Sequence, residues 1–283
     1  MRPRNEERKR LKTLRHLLSG FARTLLPQPV AAGLRRFIWS LPNLRRELKS
    51  HLVVTVAGPA DWVLFNDIFV EKEYDPAIDL ALERAARGDR AGRPLTVVDL
   101  GANVGYFTLR AVDRIDTAAP GSALRFVLVE PNPALIAELK RRLLTQPRLA
   151  ACVTLLQGLV GSRREGMGVL FESPLHFESS LIGRRGLRRR EVPYLDLDAA
   201  LGAGAQVDLL KCDIEGAELE LLAAYPDLLR RTAVCVIELH PEKCDAAACL
   251  RLLEEAGFDE RRILREGDAW KVLLLAKSGG LRP

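Results

Sequence analysis

The residues best suited to chemistry fall in four short runs. Val97-Val98-Asp99-Leu100-Gly101-Ala102-Asn103-Val104-Gly105-Tyr106-Phe107 carries an apolar strand into a turn with glycines at 101 and 105. A turn of this kind lets backbone approach a ligand, and the helix after it offers N–H groups without helical partners. Phe126-Val127-Leu128-Val129-Glu130-Pro131-Asn132 sets a carboxylate at the end of a second strand, about 29 positions beyond Gly101. Glu130 there can accept both ribose hydroxyls of an adenosine, whether the cofactor is NAD or S-adenosylmethionine (SAM); the plainer alternative is that it merely precedes a helix cap at Asn132-Pro133. The third and fourth runs, Lys211-Cys212-Asp213-Ile214-Glu215-Gly216-Ala217-Glu218 and Ile237-Glu238-Leu239-His240, add Asp213, Glu215, Glu238 and His240. Carboxylates beside an imidazole can hold a hard divalent ion such as Mg²⁺ or share one proton at a raised pKa, and His240 can act alone as a general base. Glu215 and Glu218 also fit a helix's first turn, where acids favour the macrodipole.

Taken together, Asp99-Leu100-Gly101-Ala102-Asn103-Val104-Gly105, Glu130-Pro131, the Lys211 to Glu218 run and Glu238-Leu239-His240 resemble the FkbM family of SAM-dependent methyltransferases over roughly residues 70–240. Cys212 stands where that pattern has a branched apolar residue, and Ala224-Tyr225 replaces its small-residue-glycine pair. Neither departure removes a polar group. The resemblance implies a class I methyltransferase, a Rossmann-like α/β three-layer sandwich on a seven-stranded, mostly parallel sheet. Gly101, Ala102, Asn103, Gly105 and Phe107 would then surround the methionine part of SAM and Glu130 its ribose. Pro131 would lie near the adenine, with Gln157 and Gly158 closing the other side. Asp213 would stand beside the sulfonium and, on a neighbouring strand end, near Glu238. The catalytic candidates are therefore Asp213, Glu215, Glu238 and His240. A metal would take Asp213 and Glu238; the greater length of Glu238 favours the metal-free route through His240.

The implied reaction is O-methylation of a hydroxyl on a sugar, glycolipid or polyketide-type small molecule. A nucleic-acid methyltransferase, a non-catalytic SAM-binding scaffold docked on a membrane, and an NAD-dependent dehydrogenase are the rivals. The first wants aromatics interleaved with positive charge, whereas the basic segment has only Phe21, Phe37 and Trp39. The last lacks the third-glycine spacing of the dinucleotide turn.

Elements must bring these runs together. Apolar, β-rich runs at 95–100, 126–130, 153–157, 207–212 and 233–239 alternate with helical patterns at 104–115, 133–145, 215–224 and 245–256, which predicts a parallel sheet covered on both faces. Runs at 52–57 and 61–70 read as strands, Asp75-Pro76 opens a helix to Arg87, and Ile263-Leu264 with Val272 to Ala276 reads as a closing strand pair. The rhythm breaks at 161–206, an excursion with a short alternation at 168–172; loops this long are usually functional. Within it His176, Ser179 and Ser180 are the substrate-contact candidates, and Arg184 to Arg190 form a solvated rim or recognise an acidic acceptor.

The 283 residues carry a net charge of +6, but residues 1–50 hold 13 Lys/Arg against 3 Asp/Glu, leaving 30 against 34 in the rest. The basic excess is thus an arm, with leucines at 11, 14, 17, 18, 25 and 26 in helical spacing, suited to packing or to an anionic membrane surface. We read residues 1–50 as this arm and 51–283 as the methyltransferase domain. Five cysteines without a Cys-x-x-Cys pair suggest buried thiols in a reducing compartment, hence a cytoplasmic protein able to sit at a membrane's inner face.

Overall fold

The computed structural model describes residues 44–87, 92–172, 188–202 and 204–278. It enters through an antiparallel hairpin, β1 (Leu44–Glu47) and β2 (Val53–Val56). Residues 44–50, grouped with the arm on charge, are thereby tied to the body, where the Ser50 backbone N–H and hydroxyl donate to Asp113 Oδ1 at 2.9 and 2.8 Å. The rest of the arm lies outside the described residues.

Residues 61–70, expected as a strand, are helical: α1 (Pro59–Phe65) runs on into a π-helical turn, Asn66–Val70. The reason lies in side-chain spacing. Trp62, Phe65 and Phe69 recur at helical intervals, and Phe65 and Phe69 stack at 5.1 Å while each meets the Tyr106 ring edge-on. Pro59 at the opening and Asp61 in the first turn are helix-start signals as well.

From α2 (Asp75–Arg87) onward the expected alternation holds: β3 (Leu95–Leu100), α3 (Tyr106–Ala118), β4 (Leu124–Glu130), α4 (Pro133–Leu143), α5 (Pro147–Ala150) and β5 (Val153–Gln157). The 161–206 excursion contains a separate antiparallel hairpin, β6 (Met167–Glu172) and β7 (Arg188–Pro193), then α6 (Leu197–Leu201). The chain closes with β8 (Val207–Cys212), α7 (Glu218–Ala224), α8 (Pro226–Arg230), β9 (Thr232–Leu239), α9 (Ala246–Glu255), β10 (Glu260–Glu266) and β11 (Lys271–Ala276).

The seven-stranded sheet has the order β10-β11-β9-β8-β3-β4-β5. The pairs β3–β4, β4–β5, β3–β8 and β8–β9 are parallel, and β11 runs antiparallel between β9 and β10. Alternation divides the core: Val97, Phe126, Leu128 and Val236 pack on the face covered by α2, α3 and α4, and Val98, Val127, Leu210 and Ile237 on the face covered by α7, α8 and α9. Both faces are thus dry, the condition a parallel sheet requires. At one margin β10 is exposed from Glu260 to Ile263. Among the described residues no helix is long and apolar enough to cross a membrane.

Candidate active site

Strand order reverses between β3 and β8, so the turns leaving their carboxyl ends diverge and open a crevice, the usual ligand position in open α/β sheets. A cleft of about 830 Å³ lies there, walled by the 101–104 turn, Glu130, Pro131, Gly158, Lys211, Asp213, Glu238 and His240. That volume falls in the usual range for ligand sites, roughly 300–1,000 Å³.

The glycine turn is braced from beneath. Gly101 N–H and Ala102 N–H both donate to Val129 O, at 3.0 and 3.1 Å, and Gly105 N–H to Ala102 O at 2.9 Å. Gly101, Asn103 and Gly105 all have positive φ. The cradle's own packing requires both glycines: a Cβ on Gly101 would lie 1.8 Å from Asp213 O, and one on Gly105 would lie 2.9 Å from a Leu139 methyl. Glu130 joins the turn to the next loop, accepting from Asn103 N–H and Asn132 N–H at 2.9 Å each. Burial raises its pKa to about 7 against those two hydrogen bonds. Asn132 also caps α4 through Ala134 N–H, so Glu130 both precedes a cap and lines the cleft.

Gly105 packs against Leu139 and Leu143 and is not among the residues lining the cleft, whereas Ala102, Asn103, Phe107, Pro131 and Gly158 line it, with Phe107 edge-on to Tyr74 at 5.3 Å. Gln157 does not; it ends β5, the sheet's edge strand, and is exposed. His176, Ser179 and Ser180 lie outside the described residues.

Asp213 leaves β8 with its N–H on Leu100 O at 3.2 Å. The following turn holds Glu215 at φ 56° and Gly216 at φ 110°, and buried Glu218 staples it by accepting from Ile214 N–H at 3.3 Å and Gly216 N–H at 3.1 Å. Glu218 is therefore a backbone anchor. Because β8 and β9 are neighbours, Glu238 and His240 emerge beside this turn: His240 Nε2 lies 3.4 Å from Glu238 Oε1 and 3.7 Å from Glu215 Oε2, and Lys243 pairs with Glu215. Burial, reinforced by the charges of Asp213, Glu73 and Glu215, pushes the Glu238 carboxyl up to about 9. Burial and Asp213 raise Glu215 to about 7 although Lys243 opposes this. Burial and Lys243 lower the His240 pKa, so its imidazole is neutral at pH 7. Among the described residues there is no metal-ligating group of three or more His, Cys, Asp or Glu side chains.

Several cleft residues escaped sequence reasoning. Arg265 of β10 bonds Asp67 at 2.6 Å and Glu73 at 2.7 Å, lies over the Trp270 ring at 5.2 Å, and lines the cleft with all three. Tyr74 and Lys243 also line it. Lys211, quoted only as part of a motif, is 5% exposed and lies in the cleft floor. Burial disfavours its ammonium, yet the charges of Asp99 and Asp213 outweigh that and its pKa is raised.

A family model described as the methyltransferase FkbM domain matches residues 99–260. Among solved structures the chain is similar to methyltransferase FkbM from Methylobacillus flagellatus KT, at 15% identity and a TM-score of 0.45 over 71% of this chain and 58% of that one. It is also similar to magnesium protoporphyrin IX methyltransferase from Synechocystis PCC 6803 with bound SAM, at 14% identity and a TM-score of 0.42 over 75% of this chain and 83% of that one. The chain thus spans less than two thirds of the first of these. No curated protein matches it.

Proposed function

Because the chain belongs to the methyltransferase FkbM domain family, we propose that its cleft binds SAM and transfers the methyl group to a hydroxyl of a sugar, glycolipid or polyketide-type small molecule. The carrying observation is that one cleft holds both a braced turn, with Glu130 at its base, and a cluster of carboxyl groups and an imidazole, Asp213, Glu215, Glu238 and His240. SAM fits these residues: Glu130 keeps acceptor capacity for ribose hydroxyls beyond its two N–H bonds, and buried Asp213 Oδ1 has no hydrogen-bond partner among the described residues. When bound, SAM supplies an electrophilic methyl on a sulfonium.

The protein's own task is to position an alcohol and remove its proton. His240 suits that task because it is neutral at pH 7 and lies 3.7 Å from Glu215, whose ionised form can stabilise the imidazolium, while Glu238 beside it keeps its own proton. Asp213, at the junction of cofactor turn and acid cluster, would orient the acceptor. The carboxyl groups lining the cleft, Glu73 and Glu238 among them, suit a hydroxyl-rich acceptor as hydrogen-bond partners. A divalent ion on Asp213 and Glu238 is not required by this route, and Lys211 already lies 3.6 Å from Asp213 Oδ2.

The test is calorimetric titration with SAM against NAD, followed by transfer of labelled methyl to sugar, glycolipid and polyketide pools with and without chelator. SAM should bind, NAD should not, and label should reach an alkali-stable ether independently of chelator. His240→Ala should cut the rate by about 10²–10⁴, a loss that shrinks as pH rises and the alcohol ionises unaided. SAM binding without transfer to any pool would overturn the catalytic reading; NAD binding would overturn the cofactor.

A further inference from the structure

Lys211 is a buried cation that the proton chemistry above does not use. Its Nζ donates to Gly101 O at 2.8 Å and reaches Leu100 O at 3.4 Å, while Asp99 Oδ1 lies 3.3 Å away and Asp213 Oδ2 3.6 Å away. The side chains of Lys211 and Asp99 are 6% and 0% exposed, and Asp99 Oδ2 is held by the Thr108 hydroxyl at 3.0 Å. An ammonium has three N–H donors and no acceptor capacity. Its hydrogen bonds go to the cofactor turn, at Leu100 O and Gly101 O, and its charge is shared between Asp99 beneath that turn and Asp213 at the acceptor side. The backbones of the two turns also meet directly, through Asp213 N–H to Leu100 O at 3.2 Å and the close packing of Gly101 against the Asp213 carbonyl, and Lys211 is the side chain that reaches both.

We propose that Lys211 is a positioning residue that clamps the cofactor turn to the Asp213 turn, fixing the distance between bound SAM and the acid cluster. This rests on the reading of the cleft as a SAM site. A purely structural alternative exists, in which Lys211 only neutralises Asp99; removing one member of such a buried pair is costly whatever its function. A clamp and a mere counter-charge diverge once both charges are removed together.

The variants are Lys211→Met and Lys211→Met/Asp99→Asn, each measured for melting temperature, for SAM affinity by calorimetry, and for hydrogen exchange without cofactor. The single variant should be the less stable. The double variant should regain most of the melting temperature yet bind SAM at least 10-fold more weakly than the parent, and its Gly101 to Asn103 amides should exchange at least 10-fold faster while those of β4 stay protected. Return of both stability and SAM affinity in the double variant would overturn the clamp, as would parental affinity or parental exchange in either variant. Loss of the fold in both would also overturn it, making Lys211 a folding requirement. Failure of the parent itself to bind SAM would instead strike the proposed function.

Discussion

At the scale of single residues, the distinctive feature is a carboxyl group kept out of its usual charge state by its surroundings. Glu238 sits with Glu73, Asp213 and Glu215 around one end of the cleft, and burial with those charges holds its pKa near 9. An unfolded glutamate titrates near 4.3, so the unfolded chain loses this proton first as pH rises. Stability from the group is complete below about 4.3 and falls between there and about 9. Glu238→Gln, which cannot ionise, should therefore melt close to the parent at pH 4 and progressively above it toward pH 9; a pH-independent difference in melting temperature would contradict the assignment. Much of this cluster was legible in the sequence, because Asp213, Glu215, Glu238 and His240 stand at the ends of two recognisable strands and need only be neighbours. Arg265 and Glu73 were not, since 192 positions separate partners that meet across the cleft and no local pattern records such a pairing. Lys211 was visible but unread: within a buried strand its type signals a hidden partner, and only the fold shows that the partners are Asp99 and the Gly101 carbonyl. Gln157 failed for the opposite reason, since its place after an apolar run says nothing about which way an edge strand turns its last side chain.

Among the elements, the segment most informative about packing is the one read wrongly. A run of Trp, Val, Leu, Phe and Ile between 61 and 70 has strand-like composition, and composition concealed the helical spacing of its aromatics. What holds this helix is a tie from α4. Arg142 donates to Asp61 at 2.6 Å, to Thr55 O at 2.9 Å and to Tyr106 Oη at 2.9 Å, joining α1, β2 and α3 at a point where both charged side chains are 5% exposed. Arg142→Met should destabilise the protein by about 3–5 kcal/mol, the cost of leaving a buried charge unpaired. Urea denaturation should show that loss, and adding Asp61→Leu should recover part of it. Because Val63, Leu64 and Asp67 of the same segment line the cleft, the single variant should also weaken acceptor binding more than SAM binding. The centre of the main sheet, by contrast, was legible: the buried runs of β3, β4, β8 and β9, punctuated by glycine and proline, leave little choice but strands with helical crossovers, whereas charged, exposed β10 showed only its Ile263-Leu264 and hairpin β1–β2 was hidden because half of it carries the arm's charge.

For the whole molecule, charge and fold separate along the chain, with the basic excess before residue 50 and a slightly acidic remainder. A chain beginning at Leu44 retains β1 and every described wall of the cleft, so it should fold and bind SAM as the full chain does. Its affinity for anionic vesicles should fall, and the binding of the full chain to them should weaken as salt rises. Salt-insensitive binding, or parental binding by the shortened chain, would remove the arm as a membrane contact. The sheet's own margin also governs how molecules meet one another. Strand β10 reads Glu260-Arg261-Arg262-Ile263-Leu264-Arg265-Glu266 and leaves one side of its backbone unpaired in the sheet. An open strand edge invites another chain to add a strand, and charged side chains are a common defence. Exposed Arg261 and Arg262 guard that margin against strand addition, while Arg265, two positions beyond Ile263, pairs with Asp67 and Glu73 and lines the cleft. Arg261→Val/Arg262→Val should therefore leave methyl transfer intact but make the protein self-associate in a concentration-dependent way in light scattering. One short strand thus guards colloidal solubility with its outer residues and lends an inner one to the wall of the cleft.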